Sequence, residues 1–565
     1  MNGTHLFSVP RWTGRSWWQA QLAAAGPAVA ALVVATVVTL LGWRGVDQAA
    51  QAYHILEVRA HGLMLWDSGW YAGNFPLGYS VLAPVIGAAI GMKAALVSAA
   101  VLATWSFDRV VTRYFGSRPV GTWYFAVSTL LPVTIGQLPF LCGEALGLAA
   151  LAAGQRGRRV LAVGLGLLAG LFSPLAGAFL AMTCLAWAVY NRRGRRWLLV
   201  TAALSLGFIA AIGLLFPGDG PMPFPWTGLV VTELLCLTAL TPLVRTTPTA
   251  RLGALAYAAA TLFSFLVPNP LGGNAPRLAA SVGIPLLACF LTAPGPALRR
   301  LSFARVTSRV TARLTRGRTF RLTARWRVAA VALVVPFAAW QWAPVNTVVT
   351  SPTSVPEVQQ SFYQPLVQEI TALQPGPVRV EIPPTLEHWE AAFVGTQISL
   401  ARGWERQLDT ADNPLFYTPG ALTVASYDSW LHDEGVTFVA LPDAPLDYAA
   451  KQEAVLLRSG RLPDLKLVWR TPHWTLWTVT GSPGLVSGSA HLSALDPDHV
   501  TLQVSRAGML LVRVRYTTFW WVRRGVACLS AGPGGWTSVD ALAPGTLKLS
   551  ASVIHPGPPA ACPAT

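Results

Sequence analysis

Residues 25–43 read AGPAVAALVVATVVTLLGW, and residues 44–84 continue RGVDQAAQAYHILEVRAHGLMLWDSGWYAGNFPLGYSVLAP. The first part is an apolar run of the length, about 20 residues, that crosses a bilayer as a helix. Because this run is too long for the apolar region of a cleavable signal peptide and lacks a small-residue cleavage site, it predicts a signal anchor. The second part mixes charged and aromatic side chains, which predicts a long loop at the outer membrane surface.

The composition of the whole chain predicts a polytopic α-helical membrane protein. Of its 565 residues, 53% are hydrophobic and only 12% are charged, with a mean hydropathy of +0.46. Soluble chains carry about 25% charged residues, so a bilayer accounts for the missing charge. The same figures exclude a disordered chain, a collagen-like fibre and a small disulfide scaffold.

The formal net charge of +17 belongs to the membrane half. Residues 1–345 hold 28 Lys and Arg against 7 Asp and Glu, whereas residues 346–565 hold 14 against 18. Cytoplasmic loops of membrane proteins are enriched in Lys and Arg, so this excess predicts topology. No basic stripe requires a nucleic-acid partner, and none is predicted.

Apolar stretches predict eleven membrane spans in a transmembrane domain over residues 1–345. The stretch 77–108 is ambiguous, but the arginine-rich loops all lie on one side only if it crosses once, at about 92–108. Pro76–Gly91 then lies along the outer surface, within a first outer loop over 44–91. The prediction is a multi-pass plasma-membrane protein with a cytoplasmic N-terminus and an extracytoplasmic C-terminal region. The other ten spans are 25–43, 119–135, 138–154, 160–173, 174–190, 197–216, 226–244, 254–268, 278–293 and 328–345.

The cytoplasmic loop 297–327 carries ten arginines and no acid. Arg305, Arg309 and Arg313 recur every four residues with apolar residues between them, as in a helix that lies on anionic lipid. A basic loop that only anchors the topology explains the same residues equally well. Neither interpretation gives the loop a catalytic role.

The extracytoplasmic region divides into two predicted lobes. Residues 346–482 alternate strand-like runs with helical stretches, which is typical of an α/β lobe. Residues 483–565 carry alternating runs such as His499–Val504 and Met509–Tyr516, which predict a small β-sandwich. The strand-like runs of the first lobe are Val378–Ile382, Thr437–Leu441, Leu465–Trp469 and Trp474–Thr480, and its helical stretches are 356–373 and 446–459.

The six cysteines divide by environment. Four lie in predicted spans, where they are most simply small apolar packing residues. Cys528 and Cys562 lie in the outer region, where oxidation is permitted, so a disulfide between them is predicted. No Cys or His spacing is typical of zinc, no NTP-binding loop occurs, and Asp496-Pro497-Asp498 is better explained as a turn than as a metal-binding pair. No metal site and no cofactor is predicted.

The first outer loop gathers more charged and aromatic side chains than topology requires. Asp47 follows the first span by four residues, so its carboxylate is expected at the outer lip of the membrane. No Gly or Pro interrupts residues 47–59, which predicts one surface helix with Tyr53 and Glu57 paired at i,i+4. An ordinary interfacial loop explains the cluster about as well. The cluster comprises Arg44, Asp47, His54, Glu57, Arg59, His61 and Asp67, with Trp66, Trp70 and Tyr71.

A second polar loop, NPLGGNAPRL at 269–278, is expected at the same membrane level. Arg277 and Asn274, with two flexible glycines before them, suit a clamp for a phosphate group. The alternative is a turn whose arginine reaches lipid headgroups.

Two carboxylic acids fall inside predicted spans. An intramembrane carboxylate costs about 2.5–3.5 kcal/mol on insertion scales and points to a function by default. Glu144 is expected about two turns below the outer surface, where it could face the cavity of a site. Glu233 is better explained by a hydrogen bond between helices.

The first outer loop contains the run Asp47, Tyr53-His54, Gly62-Leu63, Leu65-Trp66-Asp67, Trp70-Tyr71, Gly73 and Pro76-Leu77-Gly78-Tyr79. This run resembles the GT-C glycosyltransferases, in which an acidic residue follows the first span and a long loop with juxtamembrane helices comes next. The chain is more similar still to actinobacterial polytopic membrane proteins, which are similar to the membrane family related to 6-pyruvoyl-tetrahydropterin synthase. Segments 401–420 and 427–447 look like the outer domain of the same proteins.

The resemblance implies an inverting glycosyltransferase that moves a sugar from a polyprenyl-phosphate donor to an envelope glycan or glycolipid at the outer face, among membrane lipids. A carboxylate at the lip can act as the general base, and in the GT-C pattern that residue is Asp47. The family often has two adjacent acids here, whereas this chain has Gln48 in the second place. Glu144 is a second candidate for catalysis. The expected substrate-binding residues are Arg277, Asn274, Arg59, His54, Trp66 and Asp67.

Two other functions explain parts of the pattern. A transporter or exporter of a lipid or sugar would also be polytopic, although the common folds have two matching halves and this chain has an odd predicted number of spans. A non-enzymatic envelope scaffold would account for the outer lobes. The enzyme predicts that Asp47, Arg277 and Glu144 converge on one outer cavity, the transporter predicts a through-channel, and the scaffold predicts dispersion.

Overall fold

The structure, a computed structural model, describes residues 17–217, 220–241, 244, 246–292, 332–345, 355–554 and 562, with side chains from residue 25 onward. These residues form a bundle of helices with two smaller lobes packed against one end of it, which we call the lobe end. The basic loop 297–327, and with it the hypothesis of a lipid-bound helix, lies outside the described residues.

Helices occur at every position where the sequence predicts a span. Among the described residues, five helices are long and apolar enough to cross a membrane: Met92–Phe115, Leu138–Gln155, Arg195–Leu215, Pro248–Leu266 and Gly272–Thr292. Six shorter apolar helices are Ala25–Leu41, Gly121–Ile135, Arg159–Phe172, Pro174–Tyr190, Trp226–Leu240 and Ala332–Val345.

Large apolar side chains point outward from the bundle. Val160 is 89% exposed and Leu214 is 82% exposed, and many other apolar residues of these helices are exposed as well. Apolar side chains exposed in this number along these helices fit lipid better than water. The bundle is therefore a membrane domain, while the total of eleven spans stays a prediction.

The helices of this half are numbered in chain order as α1 to α15. They are α1 (Trp17–Leu41), α2 (Asp47–His61), α3 (Pro76–Tyr79), α4 (Ala83–Ile90), α5 (Met92–Phe115), α6 (Gly121–Ser128), α7 (Leu130–Ile135), α8 (Leu138–Gln155), α9 (Arg159–Phe172), α10 (Pro174–Tyr190), α11 (Arg195–Leu215), α12 (Trp226–Leu240), α13 (Pro248–Leu266), α14 (Ile284–Thr292) and α15 (Ala332–Val345). A 3₁₀ turn at Gly272–Asn274 and a π-turn at Ala279–Gly283 precede α14.

Two helix starts show how the sequence sets these bounds. The hydroxyl of Ser173 accepts a hydrogen bond from Ala176 N at 3.3 Å, and Thr247 does the same for Ala250 N at 3.2 Å. In each helix a proline takes the first position, where its missing N–H costs nothing. A capping hydroxyl followed by proline therefore begins both α10 and α13.

The first outer loop contains the predicted surface helix. It is α2, which begins at Asp47, and α5 begins at Met92, as a single crossing of the ambiguous stretch requires. Between α2 and α3 the chain turns through positive φ at Tyr71, Ala72 and Gly73. A Cβ at Gly73 would lie 2.4 Å from the Trp66 ring, so only glycine fits this turn.

The first lobe is an α/β lobe, as predicted. Its five-stranded sheet has the order β2-β1-β3-β5-β4, in which β1 pairs in parallel with β2 and β3 and the other pairs are antiparallel. The strands are β1 (Arg379–Glu381), β2 (Ser399–Leu400), β3 (Phe438–Pro442), β4 (Leu465–Arg470) and β5 (Trp474–Val479). The helices are α16 (Gln360–Leu373), α17 (Glu390–Phe393), α18 (Arg406–Asp412), α19 (Val424–Asp433) and α20 (Lys451–Arg458).

The second lobe is the predicted β-sandwich. Its two antiparallel sheets have the orders β10-β13-β8-β7 and β11-β12-β9-β6. The strands are β6 (Val486–Ser487), β7 (Ala490–Asp496), β8 (His499–Val504), β9 (Gly508–Arg515), β10 (Trp520–Arg524), β11 (Ala527–Ala531), β12 (Trp536–Ala541) and β13 (Gly545–Ala551). Cys528 of β11 is bonded to Cys562, with the Cα atoms 5.4 Å apart, which confirms the predicted disulfide.

Both lobes pack directly on the first outer loop. The Trp404 indole N–H donates to Val46 O at 2.7 Å, and the Arg44 guanidinium donates to Val358 O. From the sandwich, the Trp520 ring lies 6.4 Å from the Trp66 ring. The α/β lobe thereby holds the segment at which α2 begins, and the sandwich packs on the part of the loop that follows α2.

Candidate active site

Asp47 and Arg277 meet at the lobe end of the bundle. Asp47 is the first residue of α2, and Arg277 lies in the loop just before the π-turn that leads into α14. The distance from Arg277 Nη2 to Asp47 Oδ2 is 3.6 Å, and the side chains are 22% and 23% exposed. This is an ion pair at which a ligand can still reach both groups.

The start of α2 is held by contacts that the sequence did not reveal. The buried Gln48 amide donates to Trp43 O and Thr134 O, both at 3.2 Å, while Trp404 holds Val46 from the other side. Two carbonyl oxygens would repel a carboxylate at this position. The departure from a pair of adjacent acids therefore has a structural reason, and Asp47 alone projects toward Arg277.

The loop that carries Arg277 is packed closely rather than flexible. Gly272 has φ +35°, and a Cβ there would lie 2.0 Å from Met222 O. A Cβ at Gly273 would lie 2.5 Å from Pro223 O. These glycines let the loop touch the 222–223 backbone, where a side chain would not fit, and the phosphate clamp at this loop stays a prediction.

Asn269 shapes the same loop, and Asn274 contributes little to it. The Asn269 side-chain oxygen accepts hydrogen bonds from Leu271 N at 2.9 Å and Gly272 N at 3.0 Å. The half-buried Asn274 side chain makes no hydrogen bond among the described residues. It lies three residues before Arg277 and is free to meet a ligand.

The pKa of the Asp47 carboxyl depends on opposing effects of its surroundings. Burial raises the pKa of Asp47 above its usual range, while the charge of Arg277 and a hydrogen bond from Gln137 lower it. Burial raises the pKa of Tyr79, and the negative charges of Asp47 and of Glu405 in the α/β lobe raise it further. Arg277 lowers the same pKa. Tyr79, Gln137 and Glu405 are therefore neighbours of the pair that sequence reasoning did not name as site residues.

An apolar cavity of about 450 Å³ lies within the bundle beside the pair. It is lined by α5, α8, α10, α12, α13 and the 278–290 segment, and its polar lining residues include Glu144 and Ser281. Phe140 connects it to the site, because its ring lines the cavity and its centroid lies 5.9 Å from the Arg277 guanidinium carbon. Glu144 is 8% exposed, and its Oε1 has no hydrogen-bond partner among the described residues.

The predicted convergence is thus partial. Asp47 and Arg277 come together, whereas Glu144 lies in the wall of the adjoining apolar cavity and not at the pair. Glu233 behaves as predicted for a packing residue, because it accepts a hydrogen bond from Thr261 Oγ1 at 2.6 Å, between α12 and α13.

Four other predicted binding residues have partners away from the pair. Arg59 donates to Ala88 O at 3.1 Å and to Gly87 O at 3.4 Å, which ties α2 to α4. The remaining three, His54, Trp66 and Asp67, are at least 94% buried.

The buried three pack within the loop and against the sandwich. The His54 ring lies 5.0 Å from the Trp70 ring, and burial lowers the pKa of His54 to about 4. Trp66 packs on Phe75 with ring centroids 4.7 Å apart, and Asp67 Oδ1 accepts from Tyr53 OH at 3.1 Å. Because the lobes cover this part of the loop, its polar residues are not brought to the Asp47–Arg277 pair.

Comparison with known proteins gives a distant likeness. No protein-family model matches the chain, and no curated protein matches it significantly. The chain is similar to the crystal structure of ArnT from Cupriavidus metallidurans bound to undecaprenyl phosphate, with 13% identity and a TM-score of 0.44, over 84% of this chain and 100% of that one. It is also similar to the apo structure of the same protein, with 15% identity and a TM-score of 0.46, over 81% and 98%.

At these identities and TM-scores neither an activity nor the role of any residue transfers to this chain. The narrower resemblance to actinobacterial membrane proteins likewise stays a prediction.

Proposed function

We propose that the chain is an integral-membrane glycosyltransferase of the GT-C kind, which transfers a sugar from a polyprenyl-phosphate donor to an acceptor of the cell envelope. The observation that carries the proposal is the 3.6 Å pairing of Asp47 with Arg277 at the lobe end of the bundle, beside an apolar cavity. Transfer of a lipid-linked sugar needs a base, a group that binds phosphate and a place for lipid at one membrane level.

The donor lies across the cavity and the pair. The part of its prenyl chain nearest the phosphate occupies the apolar cavity, and the rest extends into the bilayer. Phe140 contacts the chain where the cavity meets Arg277. Arg277 binds the phosphate, because a guanidinium makes strong charge-assisted hydrogen bonds to phosphate oxygens.

Asp47 acts as the general base. The acceptor hydroxyl gives its proton to the Asp47 carboxylate while its oxygen attacks the anomeric carbon of the sugar. The bond between that carbon and the phosphate oxygen breaks, and the electron pair leaves with the phosphate, whose charge Arg277 compensates. A single displacement of this kind inverts the anomeric centre.

Donor binding also activates the base. In the free protein Arg277 lowers the pKa of Asp47. When the donor phosphate binds Arg277, the guanidinium lowers the pKa of Asp47 less, and the carboxylate becomes more basic. The enzyme therefore acquires its strongest base only when a donor is present, which limits proton abstraction at an empty site.

The acceptor enters from the lobes. The half-buried Tyr79 lies next to the pair and accepts a hydrogen bond from the buried Gln51 Nε2 at 3.5 Å, and Glu405 of the α/β lobe lies near Tyr79. These groups can hydrogen bond to hydroxyl groups of a glycan or glycolipid. Glu144, in the wall of the lipid cavity, is the next carboxylate to test.

The proposal places the lobe end outside the cytoplasm, with the N-terminus inside. A reporter fused after residue 350 is expected to be active outside the membrane. Cysteine labels introduced at 160 and 310 are expected to react only from the cytoplasm. Labelling of position 310 from outside would place the Asp47–Arg277 pair on the wrong side of the membrane for this function.

The activity test uses purified protein in lipid nanodiscs with radiolabelled polyprenyl-phosphate sugars and an envelope glycolipid extract. Wild-type protein and an Asp443→Asn control, in which an exposed acid of the α/β lobe is changed, are expected to form labelled product. Asp47→Asn is expected to form far less.

Two outcomes would reject the enzyme. Movement of intact donor across a sealed bilayer without product would favour a transporter. Retention of glycan on the lobes without product, equally in wild type and Asp47→Asn, would favour a scaffold.

A further inference from the structure

The turn Asp496-Pro497-Asp498 is part of an interface, not a free surface turn. It connects β7 to β8, and Pro497 O accepts a hydrogen bond from Ser68 N of the first outer loop at 2.7 Å. Asp498 is paired with His499 Nδ1 at 2.6 Å, whereas Asp496 is exposed. The first acid of the D-x-D pattern is therefore available to a ligand.

Asp496 lines a polar cavity of about 370 Å³ at the junction of three parts of the molecule. Helix α2 contributes Tyr53, Glu57 and His61, the sandwich contributes Leu495–Pro497, and the α/β lobe contributes 376–378 and 395–399. No lysine or arginine occurs among the described residues that line it. We call this space the junction cavity.

Glu57 is a buried carboxylate in the wall of the junction cavity. It is only 5% exposed, and no hydrogen bond to it occurs among the residues that the structure describes. The nearest basic atom is His61 Nε2 at 3.6 Å. Burial, together with the charges of Asp67 and Asp496, raises the pKa of Glu57 to about 8.

Asp67 lies behind the same wall and is also incompletely satisfied. It is fully buried, and its Oδ1 accepts from Tyr53 OH at 3.1 Å and from Gly69 N at 3.0 Å, two residues that line the cavity. Its Oδ2 has no hydrogen-bond partner in the described part of the chain. A buried carboxylate oxygen without a partner is costly, and no lysine or arginine lines the cavity to compensate the charge of Glu57 and Asp67.

We propose that the junction cavity binds a divalent cation through Glu57 and Asp496, with Asp67 as a supporting charge behind them. Carboxylates, backbone carbonyls and water are the ligands of the hard cations Ca²⁺ and Mg²⁺, and all are at hand in this cavity. The cation keeps part of its water shell, because these three carboxylates do not form a preassembled cage. It joins α2 to both lobes and so stabilises the helix that begins with Asp47. The proposal is independent of the glycosyltransferase reaction.

A second cluster provides the internal control. Asp428, His432 and Asp464 hold ligand atoms within 4.8 Å of one another on the outside of the α/β lobe. His432 Nε2 lies 3.1 Å from Asp464 Oδ2, so this carboxylate already has a hydrogen-bond partner within the protein. Its imidazole also favours zinc over calcium.

The test measures Ca²⁺ binding to the purified full-length chain by isothermal titration calorimetry, with hydrogen exchange to locate the ion. Wild type is expected to bind one Ca²⁺ saturably, with slower amide exchange in 376–378, 395–399 and 495–497. Glu57→Gln and Asp496→Asn are each expected to weaken binding by at least about tenfold. His432→Ala is expected to bind Ca²⁺ as wild type does.

Three outcomes would overturn the proposal. They are the absence of saturable binding at millimolar Ca²⁺, unchanged binding in Asp496→Asn, and loss of binding in His432→Ala. Asp496 is exposed, so its substitution leaves the fold intact even if Glu57→Gln does not fold. None of these measurements depends on glycosyl transfer.

Discussion

Two acid–arginine clusters of this molecule differ in how completely their side chains are buried. In the core of the α/β lobe, fully buried Arg402 bonds Glu381 at 2.6 Å and also bonds Glu453, which accepts from Tyr427 OH at 2.7 Å. At the lobe end of the bundle, Asp47 and Arg277 are 3.6 Å apart and each about one-fifth exposed.

This difference in burial indicates that the Arg402 cluster stabilises the lobe, whereas the Asp47–Arg277 pair is open to a ligand. Around Arg402 the charged groups are buried within one lobe, and the Phe416 ring centroid lies 3.7 Å from the guanidinium carbon. Arg402 Nη1 and Glu381 Oε2 have no hydrogen-bond partner among the described residues, so what sets this cluster apart is its burial. A ligand would have to unfold the lobe to replace any of these contacts. The Asp47–Arg277 pair keeps free hydrogen-bonding capacity on both members and borders an apolar cavity, so a ligand can separate it at small cost.

The largest expected effect is on folding and comes from the enclosed cluster. Arg402→Met leaves Glu381 and Glu453 buried without their counter-charge, which is expected to cost about 3–5 kcal/mol of unfolding free energy. Thermal unfolding followed by tryptophan fluorescence measures it. Arg458→Met, at an exposed arginine of α20, serves as the matched control and is expected to stay within about 0.5 kcal/mol of wild type. Equal stability of the two variants would show that the two clusters do not differ as described.

The next effect is on donor affinity and comes from the open pair. Arg277→Ala removes charge-assisted hydrogen bonds worth about 1.5–3 kcal/mol, so polyprenyl-phosphate should bind about 10–100-fold more weakly. Arg277→Lys keeps the positive charge but not the forked pair of donor groups, so its affinity for polyprenyl-phosphate is expected to lie between those of Arg277→Ala and wild type. Titration of each variant in nanodiscs with a short-chain polyprenyl phosphate gives the affinities. Tight binding by Arg277→Ala would assign the phosphate to another group.

A smaller effect is expected on the acid side of the pH profile. Turnover needs ionised Asp47, so the rate falls as the pH drops through the pKa of that carboxylate. Arg277 lowers this pKa, and its removal therefore moves the acid limb of kcat/KM to higher pH. Gln137→Leu is expected to move the limb in the same direction by less. A limb that stays in place in both variants would exclude Asp47 as the titrating group.

The smallest effect is on stability at the open pair. Ion pairs that keep contact with solvent contribute about 0–1 kcal/mol, and both members of this pair are about one-fifth exposed, so the unfolding free energy of Arg277→Ala is expected within about 1 kcal/mol of wild type. The same thermal unfolding measurement checks this. A loss as large as that of Arg402→Met would mean that the pair is structural.

The sequence predicted most of the architecture, because its signals are local. The apolar runs, the unbroken helical stretch from Asp47 and the alternating runs of the sandwich each lie within one continuous segment. Arg277 was found because it departs from the distribution of the other arginines. Tyr79 was also within reach, since it belongs to the run that carries the family resemblance.

The parts that sequence reasoning missed depend on contacts between distant segments. Trp66 is buried because Trp520 of the sandwich lies against it, and the packing role of Gly272 depends on the backbone at Met222. Neither partner can be deduced from neighbouring residues. For the same reason the first outer loop, whose polar residues suggest one binding surface in the sequence, is divided in the structure. Asp47 lies at the site, whereas His54, Trp66 and Asp67 are buried away from the pair.

The measurement that tests the central claim most directly compares turnover and donor binding in Asp47→Asn. Asparagine keeps the shape of the side chain, removes the base and no longer competes with the phosphate for Arg277. Turnover is therefore expected to fall about 10²–10⁴-fold, while polyprenyl-phosphate binds at least as tightly as in wild type. Turnover equal to that of wild type would contradict the account, because Asp47 would then not be the base.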